Sequence, residues 1–213
     1  MRYFLLMIAV VMGQSVLAQN KTNRPDESKE PPLKYALRIG DKSIPITEGK
    51  TARVDGTFSN PEVTLTAQPH RVFPYRGISF KYPRAFTFEA DLDDADYKNW
   101  TLSGNDFKIM YFVLNGRLTT GAFANNMVDQ FGRENCEVQK ALPLKFGNKK
   151  LSGTTLNATV VGNKMVTDIY RIPSTGAQTK LLVLQDNLDD SGNRSIEGKS
   201  TLQLIKQSSK LEP

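Results

Sequence analysis

The stretch 106-DFKIMYFVLNG-116 decides the fold that the sequence predicts, because its side chains are apolar at odd and at even positions alike. Successive side chains of a β-strand point to opposite faces of the sheet. A strand that is apolar on both faces must be covered on both sides. We therefore predict that residues 106–115 form a strand in the middle layer of a three-layer structure. The two apolar sets are Phe107, Ile109, Tyr111 and Val113 on one face, and Met110, Phe112 and Leu114 on the other.

Two helices and several further strands are predicted around this segment. The first helix has Thr119 or Thr120 as its N-cap, ends near Gly132 and carries apolar residues at helical spacing. The second runs from about Ser195 to Gln207. Strands before, between and after the helices predict an α+β domain, with helices packed on an antiparallel sheet. The predicted strands lie within residues 77–91, 137–146, 151–162, 164–172 and 179–187.

Residues 34–74 are predicted to be a small β-rich segment ahead of the main domain, which takes residues 75–213. Four short runs separated by turn residues indicate a four-stranded meander. Pro45 confines its strand to a sheet edge or a bulge, because proline has no N–H for the ladder. The segment has few large apolar side chains, so we expect it to pack on the main domain. The runs are YALRI (35–39), KSIPIT (42–47), TARVDGTF (51–58) and EVTLTA (62–67).

The first 18 residues have the layout of a secretory signal peptide: a cation at Arg2, an apolar run, and small residues before a cleavage site after Ala18. The run is shorter than the roughly 20 apolar residues that span a bilayer. Residues 19–33, QNKTNRPDESKEPPL, are rich in proline and charge and predict a flexible tether. The sequence thus predicts a secreted or periplasmic protein that does not span the membrane.

Charge and cysteine content narrow the class of protein further. Without residues 1–18 the chain has 27 Lys and Arg against 22 Asp and Glu, and the basic residues are scattered along it. This pattern does not favour nucleic-acid binding. Cys136 is the only cysteine, so the stability of an exported chain must come from its core, and we interpret Cys136 as a partly buried small apolar residue.

The order of these elements resembles a known superfamily. An opening GISFKYPRAFTFEAD at 77–91, the central DFKIMYFVLNG, a helix after a Thr pair, a run of strands and a closing amphipathic helix together resemble the PsbP-like α/β/α sandwich superfamily. The resemblance covers residues 77–207. It implies an antiparallel sheet flanked by helices in an α/β/α sandwich, and a binding or assembly role rather than catalysis. No binding residue of the superfamily can be matched to a position of this chain.

Catalytic and metal sites find little support in the sequence. His70 is the only histidine, in a connector from Pro69 to Pro74, and no motif places a nucleophile beside it. One His and one Cys cannot supply a zinc or copper site. Calcium is the one metal for which the sequence offers ligands. The cluster Asp91–Asp96 and the loop DNLDDSGN, with Asp186, Asp189 and Asp190, both provide carboxylate oxygens, although Gly198 stands where an EF-hand needs a bidentate Glu. We expect no cofactor.

An acidic run beside two aromatic residues is the remaining candidate site. Asp93 and Asp94 lie within the run from Asp91 to Asp96, and Tyr97 and Trp100 follow. Paired carboxylates beside stacking aromatics are typical of glycoside hydrolases. Trp100 fits two interpretations, contact with a ligand or partner and a core tryptophan at the start of a strand.

The sequence favours an exported, non-catalytic binding or assembly module whose partner is another envelope or extracellular protein. Two alternatives stay open. One is an envelope-directed hydrolase that uses the acidic residues near Asp91–Asp96. The other is a small-ligand carrier with a pocket between sheet and helix, for which a deep apolar cavity would be the sign.

Overall fold

The computed structural model describes residues 26–212. The predicted signal peptide and the first part of the predicted tether lie outside these residues. Neither α-helix within residues 26–212 is long and apolar enough to cross a bilayer. In chain order the strands and helices are β1 Lys34–Ile39, β2 Lys42–Thr47, β3 Val63–Ala67, β4 His70–Phe73, β5 Ile78–Pro83, β6 Thr87–Asp91, β7 Tyr97–Ser103, β8 Phe107–Leu114, α1 Thr120–Phe131, β9 Cys136–Lys140, β10 Leu144–Phe146, β11 Lys149–Leu151, β12 Gly153–Val160, β13 Asn163–Ile172, β14 Thr179–Asn187, α2 Ile196–Ser208 and β15 Lys210–Leu211.

A seven-stranded antiparallel sheet organises the structure, with the strand order β6-β7-β8-β14-β13-β12-β9. The predicted central strand is confirmed: β8 lies between β7 and β14. Its odd-numbered side chains are buried and its even-numbered ones half-buried, which reflects a full cover on one face and a thinner one on the other.

Strands provide most of the cover on the fully buried face. A three-stranded sheet, β15-β5-β4, and the hairpin β10–β11 lie there together with α2. The core between these layers is aromatic: Trp100 stacks on Tyr75 with ring centroids 6.0 Å apart and on Tyr111 at 5.7 Å, and Phe73 meets the Trp100 ring edge-on. Such contacts add to the burial of large apolar area.

Helix α1 covers the opposite face over β12 and β13. The helix begins where predicted, with the Thr119 side chain accepting a hydrogen bond from the N–H of Ala122, and Gly132 ends it with a φ of 87°. Ala124 packs against Ile169, Leu181 and Val183. Both helices therefore lie where the sequence predicts them.

The predicted fold class is nevertheless wrong. The described residues are mostly β, with two α-helices against fifteen strands in several antiparallel sheets, and they do not form an α/β/α sandwich flanked by helices. The reason lies in the segment ISFKYP, whose buried Ile78, Phe80 and Tyr82 form a strand of a separate covering sheet. Periodicity identified this segment as a strand but could not show in which layer it lies.

The N-terminal sheet also differs from the predicted meander. It has three strands in the order β2-β1-β3, because residues 51–58 form a loop and β3 returns to the far side of β1. Pro45 lies on an edge strand, as predicted. The predicted domain boundary after residue 74 falls between β4 and β5, which pair with each other, and the division into domains stays a prediction.

Residues 26–33 lie against the aromatic core, unlike the free tether that their composition predicts. The Trp100 indole donates to the carbonyl of Glu27 at 2.8 Å, and the Tyr75 hydroxyl donates to the carbonyl of Lys29 at 2.6 Å. Arg76 pairs with the Glu27 carboxylate at 2.7 Å. The contacts satisfy the polar ends of buried aromatic side chains, which composition alone cannot foresee.

Candidate functional site

An open cleft of about 360 Å³, which we call the α2 cleft, lies between α2 and the strands β13, β12 and β9. Helix α2 packs on β5, β10 and β8, and Leu202 and Lys206 of α2 line the cleft opposite polar residues of β9, β12 and β13. The cleft floor is formed by Thr155, Asp168 and Tyr170, and Arg194 lies at the start of α2. Leu142, which is 85% exposed, stands beside it.

A network of charged and polar groups forms this floor. Asp168 and Thr155 face each other across β13 and β12, and the Thr155 hydroxyl donates to one Asp168 oxygen. The Arg194 guanidinium donates to the other oxygen at 2.5 Å and lies 3.7 Å from Asp186. The Asp168 side chain is only 8% exposed. Burying charged groups is costly unless they are paired, so this network fixes Arg194 at the edge of the cleft.

The start of α2 holds Arg194 in place. Ser195 caps the helix by accepting from the N–H of Gly198, and its own hydroxyl donates to Asp186 at 2.6 Å. Burial raises the pKa of Asp186 above its ordinary value, while Ser195 and Arg194 act in the opposite direction. In the first turn of α2, the Glu197 carboxylate accepts from the backbone N–H of Phe107 at 2.9 Å.

Cations dominate the accessible part of the cleft. Lys140 and Lys206 are exposed at its rim, and Arg194, which pairs with Asp168, is partly exposed. The Tyr170 hydroxyl donates to the carbonyl of Leu142 at 3.0 Å, and burial raises the pKa of Tyr170 well above its ordinary value. Tyr170 therefore stays neutral and its hydroxyl proton is engaged by Leu142, so the exposed Lys140 and Lys206 supply the positive charge that favours an anionic group at the cleft.

A larger open cleft, about 600 Å³, lies at the end of the sheet next to the β12–β13 turn. Its charged residues, Asp106, Lys164, Asp189 and Asp190, are all exposed. We place the candidate site in the smaller cleft because its floor holds the buried, ion-paired Asp168 and the buried Tyr170, whose pKa is raised, whereas the charged residues of the larger cleft are exposed.

Trp100 lies apart from the acidic run and from Tyr97. Trp100 is fully buried in the aromatic core, so the core interpretation of this residue holds. Tyr97 is three positions earlier on β7 and therefore lies on the opposite face of the sheet, where its hydroxyl donates to Asp91 at 2.8 Å. Asp93 and Asp94 are exposed, and Asp94 accepts from the N–H of Asp96.

The three aspartates of the loop considered for calcium binding do not share a common set of partners. Asp186 is buried against Ser195, and Asp189 accepts from the N–H and the amide of Asn193, which holds the pKa of Asp189 below its ordinary value. Asp190 is exposed. Within residues 26–212 no group of three or more acidic, His or Cys side chains converges as metal ligands would.

His70 and Cys136 are both half-buried strand residues. His70 begins β4 rather than lying in an exposed connector, and burial together with the nearby Lys81 lowers its pKa. Burial raises the pKa of Cys136, which agrees with its interpretation as an apolar residue.

Asp168, Thr155 and Arg194 were not predicted as site residues from the sequence. A signal was present, because Asp168 interrupts the otherwise apolar centre of KMVTDIYRI, and a charged residue in a buried strand needs a partner. The partner is 26 residues away in the chain, and only the packing of α2 brings it near.

The chain is similar to a known protein structure over part of its length. No family model matches the chain, and no curated protein matches it. Among solved structures it is similar to LpqN of Mycobacterium tuberculosis, described as involved in cell envelope biogenesis, with a TM-score of 0.39 and 17% identity over 64% of this chain and 83% of that chain. These comparisons do not confirm the resemblance to the PsbP-like superfamily.

Proposed function

We propose that this chain is an exported binding module of the periplasm or cell exterior, and that it recognises an acidic segment of another envelope or extracellular protein through the α2 cleft. The observation that carries the proposal is the Asp168–Arg194 pair, buried on one side and open to the cleft on the other. The pair fixes Arg194 in one geometry, so little side-chain entropy is lost when a carboxylate docks beside it.

Charge and exposure at the cleft favour a protein partner. Lys140 and Lys206 flank Arg194 and would attract an acidic segment before contact. The exposed Leu142 offers an apolar contact at the rim. The carrier alternative called for a deep apolar cavity, whereas this cleft is open and lined by polar and apolar residues in similar measure.

Site-specific photo-crosslinking tests the proposal. The exported full chain carries a photoreactive residue either at Leu142, beside the cleft, or at Val161, which is 95% exposed at the distant β12–β13 turn. We expect one discrete protein adduct from position 142 and none of that size from position 161. The adduct should weaken at high salt, since exposed charges are screened.

Charge reversal provides the matched comparison. Lys140→Glu with Lys206→Glu should abolish the adduct at position 142, whereas Lys50→Glu, in the loop after β2, should leave it unchanged. Equal yields from all three proteins, or equal adducts from positions 142 and 161, would contradict the proposed site.

A further inference from the structure

Strand β3 has an open outer edge in the N-terminal sheet. It pairs with β1 on one side, and no other strand within residues 26–212 pairs with it. Val63 and Leu65 are 59% and 58% exposed, and the strand VTLTA contains no charge and no proline. Natural proteins usually protect sheet edges with charged residues or proline, because a free edge can pair with another strand.

The hydrogen bonds at both ends of β3 show which backbone groups are free. The N–H of Gly40 donates to Glu62 at 3.1 Å, and the N–H of Gln68 donates to Lys34 at 2.8 Å. In an antiparallel ladder the residues that bond to one neighbour alternate with those that face away. Even-numbered residues of β3 therefore face β1, and Val63, Leu65 and Ala67 direct their N–H and C=O groups outward.

The opposite edge of the same sheet is closed. The N–H of Glu48 donates to Leu33 at 2.8 Å, so even-numbered residues of β2 face β1 and Ser43, Pro45 and Thr47 face outward. Pro45 has no N–H at the centre of that edge, which prevents a regular ladder there. Only the β3 edge of this sheet can accept another strand along its whole length.

We propose that β3 pairs with β3 of a second copy of this chain, antiparallel about a two-fold axis at Leu65. In that register Leu65 lies opposite Leu65, Val63 opposite Ala67 and Thr64 opposite Thr66. The outward backbone groups of residues 63, 65 and 67 then bond across the axis, and the two sheets become one six-stranded sheet. Every cross-strand pair is apolar–apolar or Thr–Thr, combinations that stabilise antiparallel sheets, and no like charges meet. A two-fold axis requires such self-complementarity.

Analytical ultracentrifugation of the full chain without residues 1–18, over a concentration series, tests the dimer. We expect a monomer–dimer equilibrium in the wild type. Leu65→Lys places two ammonium groups opposite each other on the axis and should raise the dimer dissociation constant by more than about tenfold. Thr47→Lys adds the same charge to the β2 edge and should leave the dimer dissociation constant unchanged.

Amide hydrogen exchange provides a second measurement that does not depend on a variant. The amides of Val63, Leu65 and Ala67 should exchange more slowly at high than at low protein concentration, whereas those of Thr64 and Thr66, bonded to β1, should not change. A wild-type chain that stays monomeric at millimolar concentration, or a dimer that Leu65→Lys leaves intact, overturns the proposal. The test is independent of the α2 cleft, which lies elsewhere.

Discussion

β8 and β3 both carry apolar side chains at their odd-numbered positions, and they differ in what covers those side chains. In β8 every odd-numbered side chain is buried beneath the aromatic core. In β3 no side chain is buried, although Val63 and Leu65 alternate with Thr64 and Thr66 as in a strand with one apolar face. Alternation therefore predicts a strand, and a second layer decides whether that strand contributes to the core.

Large-to-small substitutions should give the largest difference in stability loss between the seven-stranded sheet and the N-terminal sheet. Leu182→Ala in β14, where the side chain is fully buried, should lower the free energy of unfolding by about 2–5 kcal/mol. Val63→Ala in β3 should change it by less than about 0.5 kcal/mol. Urea unfolding followed by the fluorescence of Trp100, the only tryptophan, measures both. Similar losses in the two variants would show that β3 is covered after all.

Adding a methyl group to each helix should show that α2 contacts the sheet closely at a point where α1 has open space. A Cβ at Gly198 would overlap the buried Asp186 carboxylate, so Gly198→Ala should lower stability by about 1–3 kcal/mol. Gly121 in α1 has open space at the same position, and Gly121→Ala should be neutral or stabilising by up to about 1 kcal/mol. Thermal unfolding compares the two, and an equal effect would contradict the close contact of α2 with the sheet.

The pH dependence of stability should distinguish the buried aspartate from an exposed one. The pKa of Asp186 is raised in the folded state by burial, so the folded state binds its proton more tightly and stability falls as pH rises from the unfolded pKa through the folded one. Asp186→Asn should remove this fall. The pKa of Asp189 is lowered by the Asn193 backbone N–H, so its contribution is present above the unfolded pKa and is lost as pH falls through the folded one. Urea unfolding at a series of pH values measures both, with Asp189→Asn as the control of opposite sign.

The smallest effect on the free energy of unfolding is expected at residues 26–33, most of which are exposed. Glu27→Gln breaks the partly exposed pair with Arg76 and should cost at most about 1 kcal/mol. The Trp100 emission wavelength should not shift, because the indole bonds to the backbone carbonyl of Glu27 and not to its side chain. A red shift would mean that the ion pair holds the whole segment in place.

Local patterns predicted the elements of this chain well and their layers poorly. The doubly apolar β8, the Thr-capped α1, α2 and the edge position of Pro45 all follow from side-chain chemistry within a few residues. The α/β/α arrangement was wrong, because no local pattern shows that β5 belongs to a separate sheet over the aromatic core. The candidate site was missed for the same reason, since Asp168 and Arg194 meet only after α2 packs.

The sequence by itself determined where both helices and most strands form, because backbone conformation and the pattern of apolar side chains are properties of neighbouring residues. It failed at residues 51–58, which form a loop, and at β4, which was predicted as a connector. The tertiary structure alone decided that Trp100 is buried, that the cleft floor holds a paired aspartate, and that β3 keeps an open edge. Burial and charge pairing depend on residues far apart in the chain, and the free energy of bringing them together is a property of the whole fold.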